Sequence, residues 1–543
     1  MIRYKVRIVS FAPQLPAMIQ DGRSLRAIKA SIFIFIVSCI IIRSTVTVKH
    51  EDRVWFFLRQ KQQPGERGYV CQGDLKNLSK VSFSGYGLHG LELGHEFELD
   101  RRGRVPRFVS NVSPDCIKSV AVPRGNGSAV VMLALATENQ IDFLENWVLN
   151  VKKAGIPMAV VGAGDEATFA KARELQVSVF RWSPEIQGGF ADWGSAVWIM
   201  NTWQKVFAVQ KIVSWGFDVI LSDLDVVWWR DPSIIFDRHP NADMFFSHDG
   251  VGTTNTEEDV NKTLLELRAS IHYTINTGMY MVRSTPSSRA FMRLWAARYP
   301  EFQGHDQNGI YDIIKVGSGT ERHPDDPGVM KSANGSLYHA VLPTYVFANG
   351  HSYFVSKLHT VMHADIPFGM HATWTYDRSE GKVSRLREIK AWHDPPEYYD
   401  GKFVTVDLQV PPMPIGHNEN TDTESMLQFH IFALEAQLQQ VALGMIFSWS
   451  TGRTFIMPTL VCFCEKIWYA VIECRFPDFP DMQFPTPCPM DYYFSLETLN
   501  KGAYGIKMDF KEQGFLDNPR VSQAIKVCII HFHGMIRYAI VCI

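Results

Sequence analysis

The sequence lacks an excess of charge of one sign, a dense set of cysteines, and a dinucleotide-binding glycine motif after the first strand of its predicted sheet. Its 543 residues carry 54 lysines and arginines against 56 acids, a formal net charge of −2. This balance excludes the basic footprint of a nucleic-acid-binding protein. Nine cysteines in such a length exclude a small scaffold held by disulfides. Without Gly-x-Gly-x-x-Gly at that strand, a phosphate is not cradled in the dinucleotide manner.

Long apolar runs are also scarce, and the run near the N-terminus covers only residues 30–42. A bilayer span needs roughly 17–25 residues, so this run crosses a membrane only if it extends over 27–46 with Lys29 and Arg43 snorkelling. Basic residues precede it, which places that side in the cytoplasm. A cleaved signal peptide is the alternative. The predicted segments are a cytoplasmic tail, a transmembrane signal-anchor and a polar stem, at 1–29, 30–46 and 47–125.

The rest of the chain is long enough for two domains. From residue 129 onward, apolar runs alternate with amphipathic segments, which predicts strand–helix–strand units in a Rossmann-like sheet. The first predicted strands are 129–136, 158–162 and 177–180, with helices at 139–154 and 168–176. The predicted domains are an α/β domain, a smaller cysteine-containing α/β domain and an unassigned tail, at 126–400, 411–526 and 527–543.

Two carboxylates follow a short apolar run in the middle of the first domain. Residues 219–221 read as a strand buried on both faces, and Asp223 and Asp225 come directly after it. Ligands of open α/β sheets bind beyond the carboxyl ends of the strands. Paired carboxylates there can hold a divalent cation that neutralises a departing diphosphate. A solvated turn is the alternative interpretation.

The residues around this pair, Gly-Phe-Asp-Val-Ile-Leu-Ser-Asp-Leu-Asp-Val-Val-Trp-Trp-Arg-Asp-Pro at 216–232, carry a resemblance. They are similar to the signature of the plant-type nucleotide-diphospho-sugar transferases, glycosyltransferase family 77. The resemblance implies a GT-A fold, that is, a Rossmann-like mixed sheet. It also implies Mn²⁺ or Mg²⁺ as cofactor and a UDP-sugar as donor.

Further motifs extend the resemblance to the donor site. The resemblance implies that Thr137, after the first strand, lies at the nucleotide base, and that Lys205 faces the diphosphate. Asn276, Thr277 and Gly278 resemble the family's Asn-Thr-Gly strand under the donor sugar. The alternatives are an exposed helix lysine for Lys205 and a bulge in a core strand for Gly278.

The resemblance also implies catalytic and metal-binding groups farther along the chain. Asp306 and Gln307 match the family's Asp-Gln-Asn segment, which faces the anomeric carbon. For Asp306 the other possibility is a helix N-cap. His371 would complete the metal shell with Asp223 and Asp225, and His363 competes with it for this role. The stretch that begins at 381 implies two candidates for gripping the diphosphate, Lys382 and Arg385.

Four cysteines cluster in the second domain, at 462, 464, 474 and 488. In an oxidising lumen they predict two disulfides with three open pairings. A zinc site is the alternative, but Cys-x-Cys lacks the usual spacing of zinc ligands. Within the second domain, a helix is predicted at 426–447 and a strand at 454–458.

Taken together, these features predict a Golgi type II membrane glycosyltransferase with a lumenal catalytic domain. The stretch 381–399 resembles the branch of the family that arabinosylates extensin-type glycoproteins. This implies transfer of L-arabinofuranose from a UDP-sugar to a cell-wall glycoprotein or glycan. Xylosyl or galactosyl transfer is the alternative within the enzyme class. A non-catalytic carbohydrate-binding scaffold is the alternative outside it.

Overall fold

The computed structural model describes residues 85–86, 92–93, 108–110, 112–125, 127–184, 196–260, 262–268, 274–299, 304–316, 321–364, 366–466, 471–476, 482–502, 507–527, 530–533 and 537–540. The predicted cytoplasmic tail, the predicted signal-anchor and most of the predicted stem lie outside these residues. They therefore stay predictions.

Strands make up the centre of both domains. They are β1 (Gly85–Tyr86), β2 (Glu92–Leu93), β3 (Phe108–Ser110), β4 (Val122–Pro123), β5 (Ala129–Ala136), β6 (Ala159–Ala163), β7 (Ser178–Pro184), β8 (Asp218–Ser222), β9 (Val226–Trp228), β10 (Met244–His248), β11 (Ile275–Val282), β12 (Arg322–His323), β13 (Asp326–Ser332), β14 (Leu337–Val341), β15 (Phe347–Asn349), β16 (Gly369–His371), β17 (Phe403–Asp407), β18 (Thr454–Ile456), β19 (Val461–Cys462), β20 (Thr486–Pro487), β21 (Phe510–Lys511), β22 (Ile530–His533) and β23 (Arg537–Ile540).

Helices connect and cover these strands. They are α1 (Pro114–Lys118), α2 (Ile141–Lys153), α3 (Glu166–Glu174), α4 (Ala196–Ser214), α5 (Ile234–Arg238), α6 (Pro286–Ala297), α7 (Asp306–Lys315), α8 (Gly350–Phe354), α9 (Leu358–Val361), α10 (Arg378–Glu388), α11 (Thr423–Ser450), α12 (Met490–Tyr493), α13 (Leu496–Lys501) and α14 (Gln523–Val527).

The first domain is built on a mixed sheet in the order β12-β13-β14-β10-β11-β8-β5-β6-β7-β3, with β4 also paired to β5. The strands β8, β5, β6 and β7 are parallel, as the alternating pattern predicts. Strand β11 is antiparallel to both of its neighbours, β8 and β10. This reversal makes the sheet mixed and confirms the predicted GT-A class of α/β fold. Strand β3 pairs with β7 and β4 pairs with β5, so residues 108–110 and 122–123, which fall in the predicted stem, belong to this sheet.

Apolar cores cover both faces of the sheet. Along β5, Val130 and Met132 face one core, whereas Val131 and Leu133 face the other. The same division holds along β8, where Ile220 lies in the first core and its two neighbours lie in the second. The prediction of a strand buried on both faces before the acid pair is therefore confirmed.

The predicted helix and strand boundaries shift by a few residues. The predicted helix at 139–154 is split into a 3₁₀ turn, Glu138–Gln140, and α2. Asp306 is not an N-cap, because His305 occupies that position and Asp306 is the first residue of α7. The residue before the helix has extended backbone angles, which places the cap one position earlier than the sequence pattern indicates.

The second domain has its own sheet in the order β21-β18-β17-β22-β23. Strand β17 lies between the two predicted domains and pairs with β22 from the C-terminal tail, 527–543. The tail thus contributes two strands to this sheet. Helix α11, predicted over 426–447, is longer than predicted and packs on the sheet at Gly444, where a Cβ atom would lie 2.7 Å from the Phe455 ring.

Helix α11 is also the one helix within the described ranges with the length and apolar composition of a membrane span. Its best 18-residue window has a mean hydropathy of 1.2 and is 33% buried. By itself this is weak evidence for a span, because a core helix passes the same test. Val441 and Met445 of α11 lie in the apolar core of the second domain, which is the environment of a core helix.

The four cysteines of the second domain form two disulfides, Cys462–Cys488 and Cys464–Cys474. This confirms the predicted bridges and selects one of the three pairings that the sequence left open. The zinc alternative is wrong, since all four sulfur atoms are used in disulfide bonds. The first bridge joins β19 to the segment after β20, directly before α12.

The contact between the two domains contains a half-buried acid, Glu388 at the end of α10. Burial raises the pKa of its carboxyl group from 4.5 to about 8. One carboxylate oxygen finds no hydrogen-bond partner within the described part of the chain. The folded protein therefore keeps a proton here that the unfolded chain loses near its ordinary pKa.

We expect this proton to make stability fall with rising pH. The folded state binds one more proton than the unfolded state between about pH 4.5 and 8, so the free energy of unfolding decreases across that window. Glu388→Gln lacks this titrating carboxyl group. The free energy of unfolding of the variant, relative to that of the parent, should therefore rise by up to about 1.4 kcal/mol per pH unit between about pH 4.5 and 8. Urea denaturation at several pH values measures it. The exposed Glu397→Gln is the control, and equal slopes in all three proteins would contradict the expectation.

Candidate active site

The acid pair lies at the carboxyl end of β8, in the turn that leads to β9. The Asp223 amide donates to the Gly278 carbonyl oxygen of β11 at 2.7 Å, and the Val226 amide donates to the Asp223 carbonyl oxygen at 3.2 Å. Ser222, the last residue of β8, accepts the indole N–H groups of Trp147 and Trp228, each at 2.9 Å. The turn that carries both acids is thus fixed on each side.

Removal of the Ser222 hydroxyl should destabilise the fold. Ser222→Ala leaves two buried indole donors without an acceptor, and each unsatisfied donor costs about 1–2 kcal/mol, so the loss should total about 2–4 kcal/mol. Chemical denaturation measures this loss. The matched control is Ser214→Ala, because Ser214 is exposed and its hydroxyl donates only to a carbonyl on its own helix. A loss as small as that of the control would show that the two indoles do not depend on Ser222.

A separate three-stranded sheet of the first domain, in the order β15-β16-β9, brings a histidine to the acid pair. Strand β16 pairs with β9 so that His371 lies opposite Val226. The His371 Nε2 atom is 3.3 Å from Asp225 Oδ1 and 3.9 Å from Asp223 Oδ2. The three ligand atoms all lie within 4.8 Å of one another, the one group of this kind among the described residues. His363, the competitor for this role, is exposed and lies outside the group.

The orientation of the imidazole is set by Asn276. The Asn276 amide oxygen accepts from the Gly278 amide at 2.8 Å, and its Nδ2 group donates to both oxygens of Asp249. That oxygen also lies 3.0 Å from His371 Nδ1. An amide oxygen can only accept, so His371 carries its proton on Nδ1. The Nε2 lone pair therefore points at the two acids, in the manner of a metal-binding histidine held by a neighbouring group.

Gly278 leaves the space between these groups. A Cβ atom at this position would lie 2.2 Å from His371 Cε1 and 2.6 Å from Asp223 Oδ2. Any larger residue would occupy the point at which the imidazole and the carboxylate converge. The backbone of β11 thus forms the floor of the group. Gly278 also lies in a bulge of β11, because Phe246 of β10 pairs with Tyr280 whereas the next residue, Ser247, pairs with Asn276. The bulge and the close approach to the ligand groups therefore hold together.

The donor set fits a divalent cation. Two carboxylates and one imidazole nitrogen are ligands that Mn²⁺ accepts, and oxygen ligands suit Mg²⁺. Two adjacent lysines compensate the charge of the acids. Lys205 Nζ contacts Asp223 Oδ1 at 3.1 Å, and Lys382 Nζ contacts Asp225 Oδ2 at 2.5 Å. A negatively charged ligand that binds here meets the ammonium groups of both lysines.

The charge balance also appears in the pKa values. Burial alone would lower the pKa of Lys205, but the carboxylates of Asp223 and Asp306 outweigh it and the pKa is raised. For Asp225, burial alone would raise the pKa of the carboxyl group. Lys382 and His371 outweigh that effect and hold its pKa well below the ordinary value. Lys205 and Asp225 are therefore both charged at neutral pH.

Asp306 and Gln307, the first two residues of α7, lie near Lys205 and β11. Asp306 is buried, and its Oδ2 atom is 3.9 Å from Lys205 Nζ and lacks a hydrogen-bond partner among the described residues. The Gln307 side chain accepts from the Thr277 amide at 3.3 Å and donates to Asp249 at 3.1 Å. The structure thus brings the predicted catalytic residues into one network with β11.

Asp249 is the residue that our sequence interpretation missed. Its carboxylate accepts from both Asn276 and Gln307. It follows β10, which is adjacent to β11 in the sheet. The available signal was an acid directly after a predicted strand, as for Asp223, but without a second acid beside it.

The prediction that Arg385 grips the diphosphate requires a correction. The Arg385 guanidinium is buried in an ion pair with Asp491 of the second domain, 2.7 Å from Nε to Oδ1. It therefore does not grip a diphosphate, and of the two implied candidates only Lys382 reaches the acid pair. Thr137 follows β5 directly, at the same end of the sheet as Asp223.

A family model matches the part of the chain that carries the site. Residues 154–386 match the family model described as nucleotide-diphospho-sugar transferase. This range includes the acid pair, Asn276, Asp306 and His371. It confirms the resemblance that the sequence motifs carry.

Two relatives from Arabidopsis thaliana are named as arabinosyltransferases. The chain is 25% identical to Arabinosyltransferase XEG113 over 406 residues, 73% of this chain and 61% of that protein. It is 26% identical to Beta-arabinofuranosyltransferase RAY1 over 223 residues, 40% of this chain and 39% of that protein. The chain thus spans less than two thirds of the length of each relative.

Solved glycosyltransferase structures resemble part of the chain. The glycosyltransferase GlyE of Streptococcus pneumoniae TIGR4 is 11% identical and covers 62% of this chain and 92% of its own, with a TM-score of 0.31. Mouse xyloside xylosyltransferase 1 is 14% identical and covers 45% of this chain and 98% of its own, with a TM-score of 0.26. These scores are low, and the fold assignment rests on the strand order of the sheet itself.

Proposed function

We propose that this chain transfers a sugar, L-arabinofuranose, from a UDP-sugar to a cell-wall glycoprotein or glycan, in a reaction that depends on Mn²⁺ or Mg²⁺. The observation that carries the proposal is the convergence of Asp223, Asp225 and His371 within 4.8 Å. Two lysines lie beside this group, and a buried acid, Asp306, lies 3.9 Å from one of them, Lys205. This is the charge arrangement that the departure of a nucleoside diphosphate requires.

In the proposed reaction, the bond between the anomeric carbon and the diphosphate oxygen breaks, and the anomeric carbon bonds to an acceptor hydroxyl oxygen. A bound divalent cation would supply charge neutralisation for the leaving diphosphate. Lys205 and Lys382 add positive charge beside the same oxygens. The proton of the acceptor hydroxyl goes to the Asp306 carboxylate or to the leaving phosphate.

Residues of β11 and α7 position the sugar. Asn276 holds His371, and Thr277 and Gln307 contribute polar groups at the floor of the site. Gly278 permits close approach of a ligand to the backbone of β11. Thr137, at the end of β5, is proposed to contact the nucleotide base.

The identity of the sugar is supported by the relatives. Both are named for transfer of arabinose, and the similarity to XEG113 covers 73% of this chain. The apolar run at 30–42, with basic residues before it, is the sequence feature that supports a membrane anchor. We accordingly propose a single-pass type II Golgi membrane protein whose catalytic domain is lumenal. The two disulfides of the second domain fit such an oxidising compartment.

The test is donor binding followed by donor hydrolysis. UDP with Mn²⁺ should raise the melting temperature, because a ligand that binds only the folded state stabilises it by RT ln(1 + [L]/Kd). EDTA should abolish this shift. Among UDP-arabinofuranose, UDP-xylose and UDP-galactose, the first should be hydrolysed fastest. Faster hydrolysis of another sugar would contradict the arabinose assignment, and absence of any UDP effect would favour a non-catalytic binding protein.

A further inference from the structure

Helix α10 lies between the candidate active site and the second domain. Near its start, Lys382 reaches Asp225, one of the three converging groups. One turn later, Arg385 reaches Asp491 on α12 of the second domain. Residues three apart are neighbours on a helix surface. The contacts that fix the position of Arg385 therefore also fix the helical turn that carries Lys382.

The Arg385–Asp491 pair is fully enclosed. The two side chains are 2% and 1% exposed, and the guanidinium carbon lies 4.7 Å from the Phe354 ring centroid and 5.2 Å from that of Tyr492. Rings on the guanidinium and a carboxylate at its Nε group leave it little freedom to move. A planar, enclosed guanidinium fixes position more strictly than an exposed ion pair does.

The start of α10 is attached to the second domain by further contacts. The second oxygen of Asp491 accepts from the Tyr376 amide at 2.9 Å. The Asp377 carboxylate accepts from the Leu496 amide at 2.5 Å, and Asn500 donates to Glu380 at 2.5 Å. Helices α12 and α13 of the second domain thus contact both the segment that precedes α10 and the first turn of α10.

The backbone before α10 needs this external support. Trp374, Asp377 and Arg378 all have positive φ angles, at 56°, 59° and 51°. Non-glycine residues adopt this conformation at a cost, and it persists only where the surroundings determine it. Gly381 also packs against the Tyr376 carbonyl oxygen so closely that a Cβ atom would lie 1.7 Å from it. The second domain supports this segment at the Tyr376 amide and the Asp377 carboxylate.

We infer that the second domain is a positioning element of the donor site. Asp491, through Arg385 and α10, holds Lys382 at Asp225, where the proposed function places the diphosphate of the donor. Asp491 is thus a positioning residue and not a catalytic one. The inference rests on the proposed function, since it assigns a role in donor binding to a domain that contributes no residue to the group of three ligands.

The test measures UDP binding to the full chain by calorimetry in the presence of Mn²⁺. Lys382→Met should weaken UDP binding about tenfold, the effect of one charged hydrogen bond. Asp491→Asn should weaken it to a similar extent. The double variant Lys382→Met/Asp491→Asn should bind UDP no more than about twofold more weakly than Lys382→Met alone, because both substitutions remove one interaction.

Asn500→Ala provides a milder variant in case Asp491→Asn does not fold, because loss of a buried ion partner can unfold a protein. It removes only the contact to Glu380 and should weaken UDP binding about fivefold. Its matched control is the neighbouring Lys501→Ala, since Lys501 is exposed and pairs within its own helix with Glu497. UDP binding of the control should equal that of the parent.

The outcomes separate the two proposals. One outcome requires that the parent binds UDP. The positioning role is then overturned if Asn500→Ala and every folded preparation of Asp491→Asn bind UDP with an affinity within twofold of that of the parent. The same holds if the effects of Lys382→Met and Asp491→Asn add independently. If the parent itself binds no UDP with Mn²⁺, the proposed function fails first.

Discussion

Asp225→Asn is expected to reduce sugar transfer by about 100- to 1,000-fold or more while the protein stays folded. The substitution keeps the shape of the side chain but removes the charge that faces His371 Nε2 at 3.3 Å and Lys382 Nζ at 2.5 Å. Loss of one group that stabilises charge in a transition state has an effect of this size. The measurement is release of UDP from the preferred donor at saturating Mn²⁺.

The control for this variant is Asp312→Asn. Asp312 is an exposed acid on α7 that pairs with Arg298 at 3.5 Å, and it lies on the same helix as Asp306. The same chemical change there should leave the rate unaltered. A rate for Asp225→Asn within a few-fold of the parent would contradict the assignment of the acid pair as the centre of the reaction.

Gly278→Ala is expected to abolish activity as well, although it changes no charge. The added methyl group would lie 2.2 Å from His371 Cε1 and 2.6 Å from Asp223 Oδ2, so either the imidazole or the carboxylate must move. A displacement of 1 Å in a catalytic group can lower the rate about 100-fold. We therefore expect at least that loss, together with weaker UDP binding in the presence of Mn²⁺.

A glycine-to-alanine change that meets no neighbour serves as its control. A Cβ atom at Gly125 would have nothing within 4 Å in the part of the chain that the structure describes, and no left-handed backbone conformation is required there. Gly125→Ala should match the parent in rate and in thermal stability. If Gly278→Ala retained full activity, the imidazole and the carboxylate would not converge at β11.

Much of the fold and part of the site could be predicted from the sequence because they depend on local patterns. The buried strand at 219–221 showed as an unbroken apolar run, and its two acids followed immediately. The other ligand, His371, arrives from a separate small sheet in which β16 pairs with β9. No periodicity in the sequence encodes that pairing, so only the resemblance to the family pointed to His371.

The features that the sequence did not predict are contacts between distant segments. Arg385 lies one helical turn from Lys382, and the sequence motif predicts the same diphosphate-binding role for both residues. The structure separates them because Asp491, more than a hundred residues later in the chain, is buried against Arg385. The tail was unassigned for the same reason, since its strand β22 is recognisable only beside β17.

The central claim is that Asp223, Asp225 and His371 hold a divalent cation at the donor site. Electron paramagnetic resonance of Mn²⁺ in the presence of UDP measures this most directly. We predict one bound Mn²⁺ per chain for the parent and loss of that signal in Asp223→Asn, Asp225→Asn and His371→Ala. Retention of the bound Mn²⁺ by all three variants would contradict the claim.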